Sequence, residues 1–336
     1  MAYRMKTVFQ GAAVSAALLA AVPVFAQAIN VAQSATGAGA MGAWTKAAPM
    51  TIYRGEIGAI AVNGKIYVAG GAIPGVDATP NFQSFDPATK QWRDLAPIPQ
   101  ATSHPGIAAM NGKIYVAGGF TMNVHKNPVT LFAEYDIAGN AWRELPPLPQ
   151  PLGSVGVAAL DGKIHVIGGR KPDGSTVATH YVFDPKSGQW SMAARLPVAR
   201  DHLGILVVDG AIHVFGGRLN ATVDNVGLND VYDAKSDSWR SLAPMPTPRS
   251  SGAFTYYHGL ILYHGGECKD AAKRVTFDEM EGYDPKTDTW RELTKAPTGL
   301  HAHSAAAIGD TAYFIGGSEG CGSDHPNATV YAFKLP

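Results

Sequence analysis

Short apolar stretches recur along the chain, and each is followed by a turn signal rather than by a helical pattern. Gly106–Met110 (GIAAM) is apolar throughout, Asn111-Gly112 follows it, and Lys113–Ala117 (KIYVA) is again largely apolar. Asn-Gly pairs favour the tight hairpin turn whose two central residues need positive φ. Strands that are apolar on both faces belong to sheets that are covered on both sides. The pattern therefore predicts antiparallel hairpins of short, buried strands.

The same unit returns six times at nearly constant spacing. Gly-Gly pairs begin at Gly70, Gly118, Gly168, Gly216, Gly265 and Gly316, and tryptophans stand at Trp44, Trp92, Trp142, Trp190, Trp239 and Trp290. Both series have the intervals 48, 50, 48, 49 and 51 residues. An aromatic-Asp pair such as Phe85-Asp86 lies between them, with the Trp seven residues after the aromatic residue. Four short strands, a to d, repeated at this period predict a β-propeller with one sheet per repeat.

The order of Gly-Gly, aromatic-Asp and Trp at fixed spacing resembles the kelch repeat over residues 44–336. This resemblance implies an all-β, six-bladed kelch β-propeller with four antiparallel strands per blade. Trp44 precedes the first a strand, whereas the last repeat ends at residues 330–333 with no Trp after it. We therefore expect the N-terminal strand to complete the last blade, because ring closure removes two exposed sheet edges.

The N-terminus predicts a secretory signal peptide over residues 1–26. A basic start and an apolar run lead to small-residue cleavage sites near Ala26 or Ala28. Residues 27–43 are small and polar, so a flexible linker is expected before the propeller at 44–336. The signal indicates a periplasmic or secreted protein with no membrane span after cleavage.

Charge and cysteine content narrow the possible partners and the compartment. The chain carries 27 basic and 27 acidic residues, which gives no reason to expect nucleic acid as a partner. A monomer is expected. Cys268 and Cys321 are the only two cysteines, and an oxidising compartment allows one disulfide between them. Each follows the Gly-Gly pair of its repeat in adjacent blades, so pairing is expected, and two free thiols are the alternative.

The variable loops of the repeats are the expected place for function. In a four-stranded meander the d-to-a and b-to-c loops share one face of the propeller, where the innermost a strands surround a channel. Loops that vary on a rigid scaffold commonly carry binding residues. The candidate ligand-binding residues in these loops are Arg54, Glu56, His104, Arg200, His202, Arg249, His301 and His303. The competing interpretation is that such residues cap strand ends.

Charge gives a first expectation for the ligand. The arginines assigned to this face outnumber the nearby acids; they are Arg54, Arg170, Arg200, Arg218 and Arg249. A sugar or another anionic or hydroxyl-rich molecule at the channel mouth is therefore expected.

Histidines raise the question of a metal. His301 and His303 would point the same way if they lay on one strand, and Glu319, His202 or Glu267 could add a third ligand. The sequence does not fix that geometry, so no metal and no cofactor is expected, and a metal-dependent oxidase-like kelch protein is the third hypothesis. His165 and His213 lie in b strands and are expected to be core residues.

One loop bears a more specific resemblance. Gly266-Glu267 after strand b, with Arg274 further on, is similar to a pattern of the bacterial periplasmic N-acetylneuraminate epimerases, or sialic acid mutarotases. The resemblance implies Glu267 and Arg274 as catalytic residues, with Glu267 as general base and Arg249 or Arg274 binding the sugar carboxylate.

No complete catalytic constellation is visible in the sequence. The first hypothesis is therefore a binding or protein-interaction module whose partner is a small molecule, a glycan or an envelope protein. A carbohydrate epimerase or mutarotase is the alternative.

Overall fold

The computed structural model describes residues 41–122, 125–322 and 325–336. The predicted signal peptide and nearly all of the predicted linker lie outside the described residues. The described part is all-β and contains six four-stranded antiparallel sheets. It contains no helix, and hence none with the length and apolar character needed to cross a membrane.

The strands have the following bounds in chain order: β1 (Ala43–Lys46), β2 (Gly58–Val62), β3 (Lys65–Ala69), β4 (Phe82–Asp86), β5 (Gln91–Asp94), β6 (Gly106–Met110), β7 (Lys113–Ala117), β8 (Phe120–Met122), β9 (Lys126–Pro128), β10 (Phe132–Asp136), β11 (Ala141–Glu144), β12 (Gly156–Leu160), β13 (Lys163–Ile167), β14 (His180–Asp184), β15 (Gln189–Met192), β16 (Gly204–Val208), β17 (Ala211–Phe215), β18 (Asn229–Asp233), β19 (Ser238–Ser241), β20 (Ala253–Tyr257), β21 (Leu260–His264), β22 (Met280–Asp284), β23 (Thr289–Glu292), β24 (Ser304–Ile308), β25 (Thr311–Ile315) and β26 (Val330–Lys334).

Each sheet is one blade, and its strands are used in the order a to d. Blade 1 is β2–β5, blade 2 is β6, β7, β10 and β11, blade 3 is β12–β15, blade 4 is β16–β19, and blade 5 is β20–β23. Strands β8 and β9 form a small hairpin in the b-to-c loop of blade 2. In blade 6, β24–β26 are completed by β1, in which Trp44 lies opposite Phe333.

The ring closes through the innermost strands. Strand β2 contacts β6 on one side and β24 on the other, and the contacts continue through β12, β16 and β20 back to β24. The six-bladed architecture and its closure by the N-terminal strand are therefore confirmed.

The repeated tryptophans join neighbouring blades. Each indole Nε1 donates a hydrogen bond of 2.8–3.1 Å to a backbone carbonyl just after the d strand of the preceding blade; the acceptors are Thr294, Ala48, Ala96, Pro146, Ala194 and Ala243. The indole ring packs on its own sheet, as Trp44 does against Phe333. One Trp per repeat thus satisfies a polar group and covers apolar surface at each blade junction.

The Gly-Gly pairs exist because the next blade approaches too closely for a side chain. In blade 2 the amide of Gly119 donates to the carbonyl of Leu152 at 2.9 Å. A Cβ on Gly118 would lie 2.4 Å from that same carbonyl oxygen, and Gly118 has φ of 63°. Only glycine combines this conformation with this contact, so the repeat keeps the pair.

Removal of residues 41–46 is expected to open the ring. Loss of β1 leaves the outer edge of β26 unpaired and exposes the face of Phe333 on which Trp44 packs, and exposed edges promote association. Size-exclusion chromatography of the truncated chain should show aggregates. Trp44→Phe, which keeps the strand and most of the packing, is the control and should remain soluble. A monomeric truncation with unchanged melting temperature contradicts closure by β1.

Candidate functional site

Six residues with a left-handed backbone surround the top of the central channel. They occupy the same position in each d-to-a loop, have φ between 51° and 59°, and are called here the neck ring: Glu56, His104, Ser154, His202, Ser251 and Ala302. Backbone hydrogen bonds run from blade to blade around this ring, for example from the Glu56 amide to the Ala302 carbonyl at 2.7 Å and from the His104 amide to the Glu56 carbonyl at 2.8 Å. Non-glycine residues in this region are strained and often mark functional positions.

The neck ring separates two cavities. Below it, the channel of about 390 Å³ is lined mainly by apolar residues of the six innermost strands. Above it, a cavity of about 340 Å³ opens on the variable-loop face, and we call it the mouth cavity. Its polar lining includes Glu56, Asp77, His104, His125, Glu267 and His301. The d-to-a and b-to-c loops therefore share one face, as the strand order predicted.

A buried ion-pair network lies at one side of the mouth cavity. Asp201 is fully buried and accepts hydrogen bonds from Arg170 Nε at 2.5 Å, from Arg218 Nε at 3.2 Å and from His202 Nδ1 at 2.7 Å. Arg218 Nη1 reaches Glu267 Oε2 at 2.5 Å. Arg218 thus links the neck ring to the cavity wall, and its charge is shared between two carboxylates.

Glu267 is held in the wall of the mouth cavity from three sides. In addition to Arg218, its Oε1 accepts a hydrogen bond from the Gly322 amide at 3.1 Å, and its main-chain carbonyl accepts one from Asn225 Nδ2 at 3.2 Å. Cys268 and Cys321 form a disulfide, which confirms the predicted pairing and keeps residue 322 beside Glu267. His301 faces the same carboxylate, with its Nε2 4.0 Å from Glu267 Oε1. Its Nδ1 donates to the carbonyl of Ser318, which leaves Nε2 as the nitrogen directed at Glu267.

Glu56 and His104 form a second acid–imidazole contact, with 2.7 Å between Glu56 Oε2 and His104 Nε2. Burial raises the pKa of Glu56, but His104, His301 and His202 more than offset this, so its pKa lies well below the usual value and the group is a carboxylate. Burial, together with neighbouring imidazoles and Arg218, lowers the pKa of His125 and of His202 far below 6.5, so both are neutral near pH 7.

Three of the candidate arginines are not at the mouth, and this corrects the expectation. Arg54, Arg200 and Arg249 are fully buried inside the blades. Arg200 pairs with Asp230 at 2.8 Å, Arg249 pairs with Glu281 at 2.6 Å, and Arg54 donates to Gln83 Oε1 at 2.7 Å. Their guanidinium groups donate hydrogen bonds to backbone carbonyls and to side chains of strand c. This is the competing interpretation given in the sequence analysis, in which such residues cap strand ends.

The His301–His303 pair does not share a face. Ala302 between them belongs to the neck ring, and its φ of 59° breaks the alternation of an extended strand. His303 Nε2 lies 2.8 Å from His264 Nδ1 in the core, and burial and that neighbour lower the pKa of His303. Glu319 is exposed. The metal set considered from sequence is therefore not assembled.

Arg274 and the two strand-b histidines lie away from the mouth cavity. Arg274 is exposed, and its Nη2 donates to the carbonyl of Gly322 at 3.2 Å, so it holds the disulfide loop rather than facing the mouth cavity. His165 and His213 are buried core residues as expected. Of the candidate residues, the structure brings together Glu56, His104, His202, Glu267 and His301.

Three members of the assembly were placed on this face by the sequence or near it but were not chosen as candidate site residues: Asp201, Arg218 and His125. Arg218 and Arg170 follow Gly-Gly pairs at the same repeat position, and a buried Asp201 next to His202 could have indicated their partner. His125 lies in the loop between β8 and β9, and no repeat position marks it.

Comparisons with known proteins agree with this architecture. The model described as "KLHDC2/KLHL20/DRC7 Kelch-repeats domain" matches residues 108–317, and the model described as "Kelch motif" matches residues 53–99. Among solved structures, the chain is similar to one described as "Structure of YjhT", with 15% sequence identity and a TM-score of 0.70 over 85% of this chain and 96% of that chain. At that identity the likeness concerns the fold. No curated protein matches the sequence.

Proposed function

The chain belongs to the kelch-repeat family, and on that premise we propose that it binds a small hydroxyl-rich molecule, such as a sugar, in the mouth cavity. The observation that carries the proposal is the placement of Glu267 and His301. Both side chains are buried, both line the mouth cavity, and their polar atoms approach to 4.0 Å. A carboxylate and an imidazole nitrogen held at this distance can bind adjacent hydroxyl groups of one ligand.

The charge of the cavity favours a neutral ligand over an anionic one. Its acidic lining residues are Glu56, Asp77 and Glu267. The arginine nearest to them, Arg218, is only 1% exposed and already bonds two carboxylates. With Arg54, Arg200 and Arg249 inside the blades, the excess of positive charge expected from sequence is not present at this site. Hydroxyl groups, which donate hydrogen bonds to carboxylates, fit this lining.

The size of the cavity agrees with this ligand class. About 340 Å³ lies at the lower end of the range usual for small-molecule sites, and it suits a single sugar ring better than an oligosaccharide. The neck ring lies between this cavity and the apolar channel below it.

Glu267→Gln tests the proposal. The substitution keeps the shape of the side chain, but it replaces one of the two acceptor oxygens with an NH₂ group that only donates. Binding of a hydroxyl-rich ligand should therefore weaken by about tenfold or more. A thermal-shift panel of neutral and acidic sugars on the mature chain would find a ligand, and calorimetry would give affinities. Asp270→Asn, in the same loop but partly exposed and outside the residues that line the mouth cavity, is the matched control and should bind as wild type. Wild-type protein that binds no member of the panel, or binding unchanged in Glu267→Gln, contradicts the proposal.

A mutarotase is the second candidate, favoured by the same pair of groups. Glu267 would accept the proton of the anomeric hydroxyl while the ring C–O bond breaks, and His301 in its imidazolium form would deliver the proton on Nε2 to the ring oxygen. Rotation of the open-chain carbonyl and the reverse proton transfers then close the ring in the other anomer, with no net change of composition. Such acid–base assistance typically contributes about 10²–10⁴-fold in rate.

Nuclear magnetic resonance of anomer exchange separates the two candidates. A mutarotase accelerates exchange of a bound sugar, and His301→Ala then loses about 10²-fold or more of that rate while the sugar still binds. A wild-type protein that binds the sugar without accelerating exchange is a binding module.

We also propose that the protein works outside the cytoplasm. The Cys268–Cys321 disulfide supports this, because disulfides persist mainly in oxidising compartments. Cell fractionation of the untagged protein tests it, and recovery only with the cytosol contradicts it.

A further inference from the structure

Three imidazole rings converge where the neck ring meets the mouth cavity. His104 and His202 come from the neck ring of different blades, and His125 comes from the loop between β8 and β9. Their ring centres form a nearly equilateral triangle with sides of 4.9, 5.1 and 4.8 Å. One ring nitrogen of each lies within 4.8 Å of a ring nitrogen of the other two.

The hydrogen bonds around His202 direct a lone pair into this triangle. Its Nδ1 must donate to Asp201, because a carboxylate only accepts. Its Nε2 is then unprotonated and faces His125 Nε2 at 3.1 Å. Metal-binding histidines are commonly oriented in this way by a buried carboxylate on the other nitrogen.

Arg218 shows that His125 offers a lone pair as well. Its Nη2, which can only donate, lies 3.0 Å from Nε2 of His125 and 3.0 Å from Nε2 of His202. The two imidazole nitrogens therefore both act as acceptors toward one cationic donor. Two nitrogens bound to one tetrahedral zinc ion at 2.0–2.1 Å stand about 3.3 Å apart, which is close to the 3.1 Å separation observed.

A fourth group of the right kind is adjacent. The Glu56 carboxylate lies 2.7 Å from His104 Nε2, so any proton held between these two atoms is released when both bind the ion. Three imidazoles with one carboxylate form a donor set suited to zinc and to neighbouring first-row divalent ions. Glu56 and Asp201 also supply negative charge that offsets the cation and the nearby guanidinium of Arg218.

We propose that His104, His125 and His202 form a binding site for a divalent transition-metal ion of the zinc class, with Glu56 as its fourth ligand. The ion takes the place of the two hydrogen bonds from Arg218 Nη2. Because the guanidinium is planar, Nη2 can leave the two imidazoles only if the whole group turns, so ion binding also rearranges the contacts of Arg218 with Asp201 and Glu267. This site is separate from the His301–His303 set considered from sequence, and it does not depend on the nature of the ligand in the mouth cavity.

The experiment uses the untagged mature chain, because a histidine tag would itself bind the probes. Titration with Co²⁺, followed by its visible absorption, should give bands of low coordination number that saturate at a single equivalent. Calorimetry with Zn²⁺ should give the same stoichiometry. Mg²⁺, which prefers oxygen ligands, should bind far more weakly.

Two variants and one control locate the ion. His125→Ala removes a ligand in a loop, and Zn²⁺ affinity should fall by about tenfold or more with little change of melting temperature. His202→Ala should lose the same binding, and its folding is checked by circular dichroism. His258→Ala, which removes a half-exposed histidine beside Asp310, should bind as wild type. The absence of Co²⁺ bands in the wild type, or their persistence in folded His125→Ala, overturns the proposal.

Discussion

Replacing Arg249 with leucine is expected to lower the free energy of unfolding by about 3–5 kcal/mol, because it leaves Glu281 as a buried carboxylate without its cation. Arg249 is fully buried, and besides Glu281 it donates to the carbonyl of Glu279 at 2.8 Å and stacks over Tyr263 with 4.8 Å from Cζ to the ring centre. Urea unfolding followed by tryptophan fluorescence measures the loss. Ligand binding at the mouth cavity should persist in the folded variant, since Arg249 is buried inside the blade.

The repeats themselves supply a matched control for this change. Two of the three blades that lack the arginine carry Leu152 with Tyr181 in blade 3 and Leu300 with Tyr331 in blade 6, at the positions of Arg249 and Glu281. The double substitution Arg249→Leu with Glu281→Tyr therefore rebuilds a pair that this fold already uses. It should be more stable than Arg249→Leu alone, because well-packed apolar groups can replace a buried ion pair at little cost. A double variant no more stable than the single one contradicts this role for the ion pair.

The pH dependence of Arg249→Leu provides a further check with a definite sign. Burial raises the pKa of Glu281 above its usual value even with Arg249 in place, and loss of the guanidinium removes the group that opposes this rise. A carboxyl whose pKa is higher in the folded state than in the unfolded state takes up a proton on folding. The destabilisation should therefore be small below the unfolded pKa and grow as the pH rises toward the folded pKa. If the loss of unfolding free energy in Arg249→Leu instead grows toward acid pH, Glu281 is not its source.

The fold could be predicted from sequence because each repeated residue has a cause within one blade or at one blade junction. The Gly-Gly pair is needed because the backbone of the next blade comes too close for a side chain. The Trp indole donates a hydrogen bond to a backbone carbonyl of the preceding blade. The Asn-Gly turns show positive φ at both residues, as at Asn111 and Gly112. These requirements are the same in every blade, so they appear in the sequence as a period.

The site could be predicted only in part, because the decisive geometry has no sequence marker. The neck ring places non-glycine residues in a left-handed conformation. The residue types His104 and Ala302 do not predict that conformation from sequence. The alternation rule therefore failed at His301 and His303. Glu267 and His301 line the mouth cavity, on the face where strand order places the b-to-c and d-to-a loops.

The arginines were misplaced although their partners are visible within each repeat. Arg54, Arg200 and Arg249 stand two residues before the neck ring, and the second residue of strand c in the same blade is then Gln83, Asp230 or Glu281. Where that position holds Thr102, Leu152 or Leu300, the partner is Ala133, Tyr181 or Tyr331. Comparison of the six repeats at these two positions would have assigned the arginines to the blade interior. Assignment by face alone could not, because a long side chain can turn inward from a loop.

Loss of the disulfide is the other change with a large expected effect. Cys268 and Cys321 lie 53 residues apart in sequence and join blade 5 to blade 6. In the chain-entropy model, a crosslink over this separation stabilises the folded state by about 4 kcal/mol relative to the open chain. The double substitution Cys268→Ser with Cys321→Ser should lower the free energy of unfolding by up to this amount. Wild-type protein reduced with dithiothreitol should show the same loss, which separates the effect of the bond from that of the serines.

The disulfide variant should also lose ligand binding, for a local reason. The Gly322 amide bonds Glu267 Oε1 at 3.1 Å, and the Cys321 amide bonds the carbonyl of Arg274 at 3.0 Å. Without the crosslink, residues 321 and 322 depend on these two hydrogen bonds and on the one from exposed Arg274 to the Gly322 carbonyl. Glu267 then keeps Arg218 but loses the amide that fixes its second oxygen. We expect affinity for the ligand of the mouth cavity to fall by about tenfold, within the range of one hydrogen bond to a charged group. Free-thiol titration of the denatured, unreduced wild type should find no thiol. Two free thiols there, or a disulfide variant with wild-type stability and affinity, would show that the crosslink does not hold the site.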